Sequence, residues 1–155
     1  DFSNKLQLKL IGKVDYSVDN SIQEFSLEKY VKRFSYLPHT KVISQQKSSK
    51  VLLLMVNNTP NSKGIITGKI FEYMASNRPI LVIGPEDGDL AKIISDTKSG
   101  VVCGYDNEVK LKEIILDLFN DKLIFKPNFE KYSRKKLTKN LSIILDNYII
   151  NDTLK

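Results

Sequence analysis

Two hydrophobic patterns alternate along this chain. Short apolar runs occupy 6–11, 31–34, 51–56, 80–83 and 101–103, and each is compact enough for one buried strand. Between them, apolar residues recur at spacings of three and four, as on one face of a helix. Ser21 opens one such segment, with Ile22 and Phe25 on its face and Glu24 placed as in a capping box, while 13–20 reads as a polar loop. Val42, Ile43 and Gln46 mark a second helix, with Pro38 suited to its first turn. Ile70, Phe71 and Met74 mark a third, and Leu90, Ile93 and Ile94 a fourth over 89–96, stopped by Gly100. A longer helix is predicted over 107–120, carrying Val109, Leu111, Ile114, Ile115 and Leu118. Another spans 129–150, broken near Leu137 or Thr138, with Leu141, Ile144, Leu145 and Tyr148 on one side. This last helix is expected to pack across the domain or onto a neighbour.

Strands alternating with helices argue for parallel βα units and a doubly wound sheet rather than an antiparallel sandwich. Val31–Phe34, with Lys32 and Arg33 between its apolar ends, suits a sheet edge. The run 51–56 is the candidate central strand. The stretch 67–84 then forms the organising unit: a helix of about two turns, a tight turn and a buried strand. A loop that leaves the carboxyl end of a parallel strand and enters a helix is where open α/β sheets bind ligands.

The 155 residues and 41% apolar content fit one domain with a substantial core, here taken as 1–155. The chain begins at Asp1 rather than methionine, with a strand almost immediately after, which suggests a part of a larger protein. No run approaches the roughly 20 apolar residues of a membrane span. Cys103, the single cysteine, lies in an apolar run and reads as a small buried filler. The net charge of +6 draws on Lys126, Lys131, Arg134, Lys135, Lys136 and Lys139 near the C-terminus. No nucleic-acid signature accompanies them, so a solvated helix face or contact with an anionic surface is preferred over nucleic acid.

Candidate chemistry is sparse. Neither GxxxxGK[ST] nor a GxGxxG after the first strand is present. Gly64, Ile65, Ile66, Thr67 and Gly68 can place free backbone N–H groups and a hydroxyl at a helix start, where phosphate is favoured, although Thr67 is equally an ordinary cap. Glu72 either pairs with Lys69 on the helix surface or faces a crevice, where its two oxygens could accept from a sugar diol. His39 is the only histidine, which excludes a histidine-rich metal site. Asp87 and Asp89 flank Gly88 as turn and cap residues, with too few oxygen ligands for calcium.

Tyr36, Leu37, Pro38 and His39, then 51–54, then Thr67 through Ala75, and Arg78, Pro79, Ile80 and Leu81, form an ordered set. Over roughly 6–118 it resembles the C-terminal donor-binding domain of a bacterial group-1 glycosyltransferase of the retaining type, built from two Rossmann-like domains. The resemblance implies an α/β Rossmann-like parallel sheet flanked by helices, lacking the usual first strand and helix. It implies that Glu72 bonds the ribose of a nucleoside-diphosphate sugar. Gly64, Ile66, Thr67, Gly68 and Lys69 would lie over the donor phosphates or sugar, Leu37, Pro38 and His39 near the base, and Asp87 and Gly88 along another wall. No catalytic residue, metal or cofactor is assigned. Where the family has a second glutamate eight positions before the first, this chain has Gly64. The sugar or lipid-linked acceptor would bind through an N-terminal domain, in surface polysaccharide or glycoconjugate synthesis. The protein would be cytoplasmic, with peripheral association at the inner membrane face. The competing readings are a noncatalytic α/β interaction domain and a fragment of a nucleoside-diphosphate-sugar epimerase.

Overall fold

The computed structural model describes residues 1–153, with side chains described through residue 149. All five predicted strands form, as Leu8–Ile11 (β1), Val31–Phe34 (β2), Leu52–Met55 (β3), Ile80–Ile83 (β4) and Gly100–Cys103 (β5). They divide into two parallel sheets, β1-β2 and β3-β4-β5, rather than one continuous sheet. The α/β class and the Rossmann-like character hold. The chain separates into two compact units, residues 1–49 and Lys50 onward, which are described in turn.

In the first unit, β1 and β2 pair in register from Leu8 opposite Val31 to Ile11 opposite Phe34. The helix between them, Tyr16–Glu24 (α1), begins five residues before Ser21 and absorbs much of the segment read as loop. The signal is Asp15, whose carboxylate accepts from the Ser17 backbone N–H at 2.9 Å and from its hydroxyl at 2.6 Å. These bonds favour the ionised form and hold the Asp15 carboxyl below its ordinary range. Ser21 sits inside the helix, its hydroxyl donating to the Ser17 carbonyl. Ile22 is buried as expected, but Phe25 lies past the helix end and is exposed. The second helix, His39–Ser48 (α2), is capped by Pro38, whose carbonyl accepts from Lys41 and Val42.

In the second unit, the helices are Lys69–Ala75 (α3), Asp89–Thr97 (α4), Glu108–Phe119 (α5) and Arg134–Thr153 (α6). Leu54 and Val56 from the β3 side, Ile80 and Val82 from β4, Ile70 and Met74 from α3, and Leu90, Ile93 and Ile94 from α4 make one hydrophobic core. Fully burying an aliphatic side chain of this kind stabilises by roughly 1.5–3 kcal/mol. The central strand is β4, not β3. The two runs are equally apolar in sequence, but β4 is buried on both faces, whereas β3 alternates and leaves Met55 65% exposed. An edge position lacks one neighbouring strand, which the local sequence does not reveal.

Helix α4 is stopped not by Gly100 but by Lys98, which takes the left-handed conformation at φ 51°. Gly100 belongs to β5 and has a different purpose. A Cβ there would lie 2.0 Å from the Ile80 carbonyl oxygen, so glycine is required for β5 to approach β4. Helix α5 matches its predicted span, with the Asn107 side chain accepting from the Lys110 N–H. Helix α6 starts after a short 3₁₀ turn, Glu130–Tyr132, and runs without a break at Leu137 or Thr138. Its predicted packing face is uncovered: Leu141, Ile144, Leu145 and Tyr148 are all more than half exposed.

Candidate functional site

Three segments leave the carboxyl ends of β3, β4 and β5, and polar contacts tie them into a frame. After β3 the chain turns through Asn57–Asn61 and a 3₁₀ turn at Ser62–Gly64. After β4 it passes Gly84 into the turn at Pro85–Gly88, and after β5 it passes Gly104 and Tyr105 into α5. The Tyr105 hydroxyl donates to the Asn57 carbonyl at 3.2 Å, joining the third segment to the first. Lys63 Nζ meets Asp87 at 2.5 Å, joining the first to the second. Glu86 joins the second to the third, accepting from Gly104 N–H at 2.9 Å and Lys110 Nζ at 2.7 Å.

Two glycines let the segments close on one another. A Cβ at Gly88 would stand 3.0 Å from the Lys63 carbonyl, and one at Gly84 would press on the Val56 side chain. The charges register the same frame. The hydrogen bond from Lys110, then that from the Gly104 N–H, holds the Glu86 carboxyl below its ordinary value. The bond from Lys63 does the same for Asp87. Cys103, at the end of β5, is fully buried, and burial pushes its thiol up, away from a reactive thiolate. That bears out its reading as a core filler.

Helix α3 stands at the exit of the first segment. The cap position is Gly68, which offers no side-chain bond; Thr67 just before it accepts from the Ile70 N–H through its carbonyl and, at 3.4 Å, from the Lys69 N–H through its hydroxyl oxygen. Gly68 follows in helical conformation. The expectation of free N–H groups needs correction at the start of this segment, because Gly64 N–H already donates to Asn61 and Ile65 N–H to Ser62. The 3₁₀ turn consumes them, a local closure that the Gly64 position did not announce.

The helix divides cleanly by face. Ile70 and Met74 are buried, whereas Phe71, predicted on the same face, is 39% exposed and leans toward the Tyr132 ring. Lys69 and Glu72 are exposed. The i,i+3 pair between them does not form, and among the described residues the Glu72 carboxylate has no hydrogen bond or ion pair. Ser76 does not share its exposure: it is 5% exposed and bonds back to the Glu72 carbonyl.

The second unit therefore brings Gly64, Asp87 and Gly88 into one loop frame through Lys63, and places Ile66, Thr67, Gly68, Lys69 and Glu72 on the segment that leaves it. Leu37, Pro38 and His39 belong to the first unit, on the connection from β2 into α2, where Pro38 and His39 are exposed and Leu37 is half-buried. Lys63, Glu86, Tyr105 and Lys110 were missed by sequence reasoning. Their partners lie 24, 18, 48 and 24 positions away along the chain, and no local pattern links them. Among the described residues no group of three or more His, Cys, Asp or Glu could hold a metal, and no helix is long and apolar enough to cross a membrane.

No known family profile matches the chain, and no curated protein sequence does. Among solved structures, sucrose-phosphate synthase from Thermosynechococcus elongatus is similar, with a TM-score of 0.58 at 18% identity. The match covers 74% of this chain and 29% of that one, so the chain corresponds to under a third of the synthase. What the chain shares with that enzyme is its fold, an α/β architecture of parallel strands and helices.

Proposed function

We propose that the chain is the donor-binding part of a retaining glycosyltransferase, and that the segment from Gly64 to Glu72 receives a nucleoside-diphosphate sugar. The observation that carries this reading is the state of Glu72. It is an exposed carboxylate with no hydrogen bond or ion pair among the described residues, on a helix entered from the carboxyl end of a parallel strand. A carboxylate offers two oxygens, and two vicinal ribose hydroxyls are matching donors. Lys69, one helical turn earlier and also without an ion pair, supplies the cation for the diphosphate, since Lys63 is already committed to Asp87. Thr67 and the backbone around Ile66 and Gly68 would line the sugar side, with Asp87 and Gly88 as the adjacent wall.

In this reading the complete protein transfers the sugar with retention, to a sugar or lipid-linked acceptor held by another domain, in surface polysaccharide or glycoconjugate synthesis. The departing diphosphate is stabilised by preorganised positive groups. Peripheral contact with the inner face of the membrane in the cytoplasm fits the basic residues that open α6.

A second reading, a noncatalytic interaction domain, is favoured by two features. Gly64 stands where an acidic contact to the transferred sugar is expected, and α6 presents an exposed apolar side. Calorimetric titration of the intact protein with a panel of nucleoside-diphosphate sugars separates them. Saturable binding of one donor supports the transferase, and no binding across the panel supports the interaction domain. Product analysis with and without acceptor then distinguishes transfer from epimerisation.

A further inference from the structure

The first unit holds a groove of about 400 Å³ between α1 and β2, within the size range of small-molecule sites, roughly 300–1,000 Å³. One face of α1 supplies its long wall, because Tyr16, Asp19, Asn20 and Gln23 follow the spacing that stacks residues on one side of a helix. Across it, Val31 and Arg33 project from the same face of β2. Ile22 and Val31 supply its apolar lining, and Glu28 lines it as well.

The groove's charges select its ligand. Arg33 is paired with Asp19, and their charges cancel. Glu28 is the remaining charge, so the lining is weakly negative and disfavours phosphate or nucleotide. The apolar lining is too limited for a hydrophobic ligand. In contrast, Tyr16, Asn20, Gln23 and Glu28 have no side-chain hydrogen bond or ion pair among the described residues, and Tyr16 is 76% exposed. Two amides and a carboxylate offer planar arrays of donors and acceptors that fit adjacent hydroxyl groups, and a bare phenol ring fits the apolar C–H face of a pyranose.

We infer that this groove is a binding site for a neutral saccharide, built from residues other than those of the nucleotide-sugar segment proposed above. Its chemistry rests on Tyr16, Asn20, Gln23 and Glu28, and it needs neither Glu72 nor a diphosphate. The site captures a sugar chain by weak, repeated contacts and performs no reaction on it.

The test is an amide-resolved NMR titration of the intact protein with maltotriose, cellotriose and chitotriose, each against inorganic phosphate and spermine as charged controls. One of the trisaccharides shifts the amides around Tyr16, Asn20, Gln23 and Glu28 saturably. Tyr16→Ala weakens that binding at least about tenfold while leaving the rest of the spectrum in place, because Tyr16 is exposed. Asn20→Ala weakens it further in the double variant. Absence of saturable shifts with all three saccharides overturns the inference. So does equal or stronger binding of phosphate or spermine at the same residues, or a sugar affinity indifferent to Tyr16→Ala.

Discussion

The loop frame at the ends of β3, β4 and β5 and the outer face of α3 lie next to one another along the chain, yet they use charge in opposite ways. In the frame, Lys63 is matched to Asp87 and Lys110 to Glu86, and Glu86 also takes a backbone N–H. On α3, Lys69 and Glu72 are one turn apart and remain unmatched. Matched charges hold three strand exits in place, whereas an unmatched pair on a fixed helix is available to a ligand. The difference separates residues that shape the site from residues that would contact a donor.

Several substitutions test that division. Gly100→Ala strikes beneath the frame and has the largest expected effect. Its new Cβ would collide with the Ile80 carbonyl, forcing β5 off β4, and we expect a loss of about 4 kcal/mol or more in denaturant unfolding. Met74→Ala removes the buried anchor of α3 and should cost about 2–4 kcal/mol in the same measurement. If Met74→Ala instead leaves the unfolding free energy unchanged, α3 is not fixed and the comparison fails.

Glu86→Gln has a smaller, pH-dependent effect. The native Glu86 carboxyl is held below its ordinary value by Lys110 and Gly104, so its contribution is full above the ordinary carboxylate range. It is lost as pH falls through the lowered native value. Thermal melts of wild type and Glu86→Gln should differ at neutral pH and converge in acid; a constant difference across that range contradicts the assignment. Glu72→Gln should change stability least, within about 0.5 kcal/mol, because the carboxylate forms no hydrogen bond or ion pair to lose.

Much of this fold was legible in the sequence. Strand runs such as Ile80–Ile83 are short and continuous, and Leu90, Ile93 and Ile94 fall inside exactly as a three-and-four spacing requires, with exposures of 4, 6 and 2%. The same spacing in α6 leads outward, since periodicity marks a face able to pack and carries no information on whether a surface is there to receive it. The start of α1 was hidden because Asp15, not Ser21, caps the helix, and polar residues in its first turns imitate a loop. Of the site, the chain position of Glu72 and Thr67 could be read locally. The frame could not, because Glu86 finds Lys110 and Asn57 finds Tyr105 only after the strands have been laid side by side.

The most direct test of the donor-binding reading is the affinity of Glu72→Gln for the nucleoside-diphosphate sugar that the wild-type protein binds, measured by calorimetry beside the thermal melt of each protein. The substitution keeps the shape of the side chain and removes its charge. The account predicts donor binding weakened at least about tenfold, equivalent to about 1.4 kcal/mol, with an unchanged melting temperature. Equal donor affinity in the two proteins contradicts it.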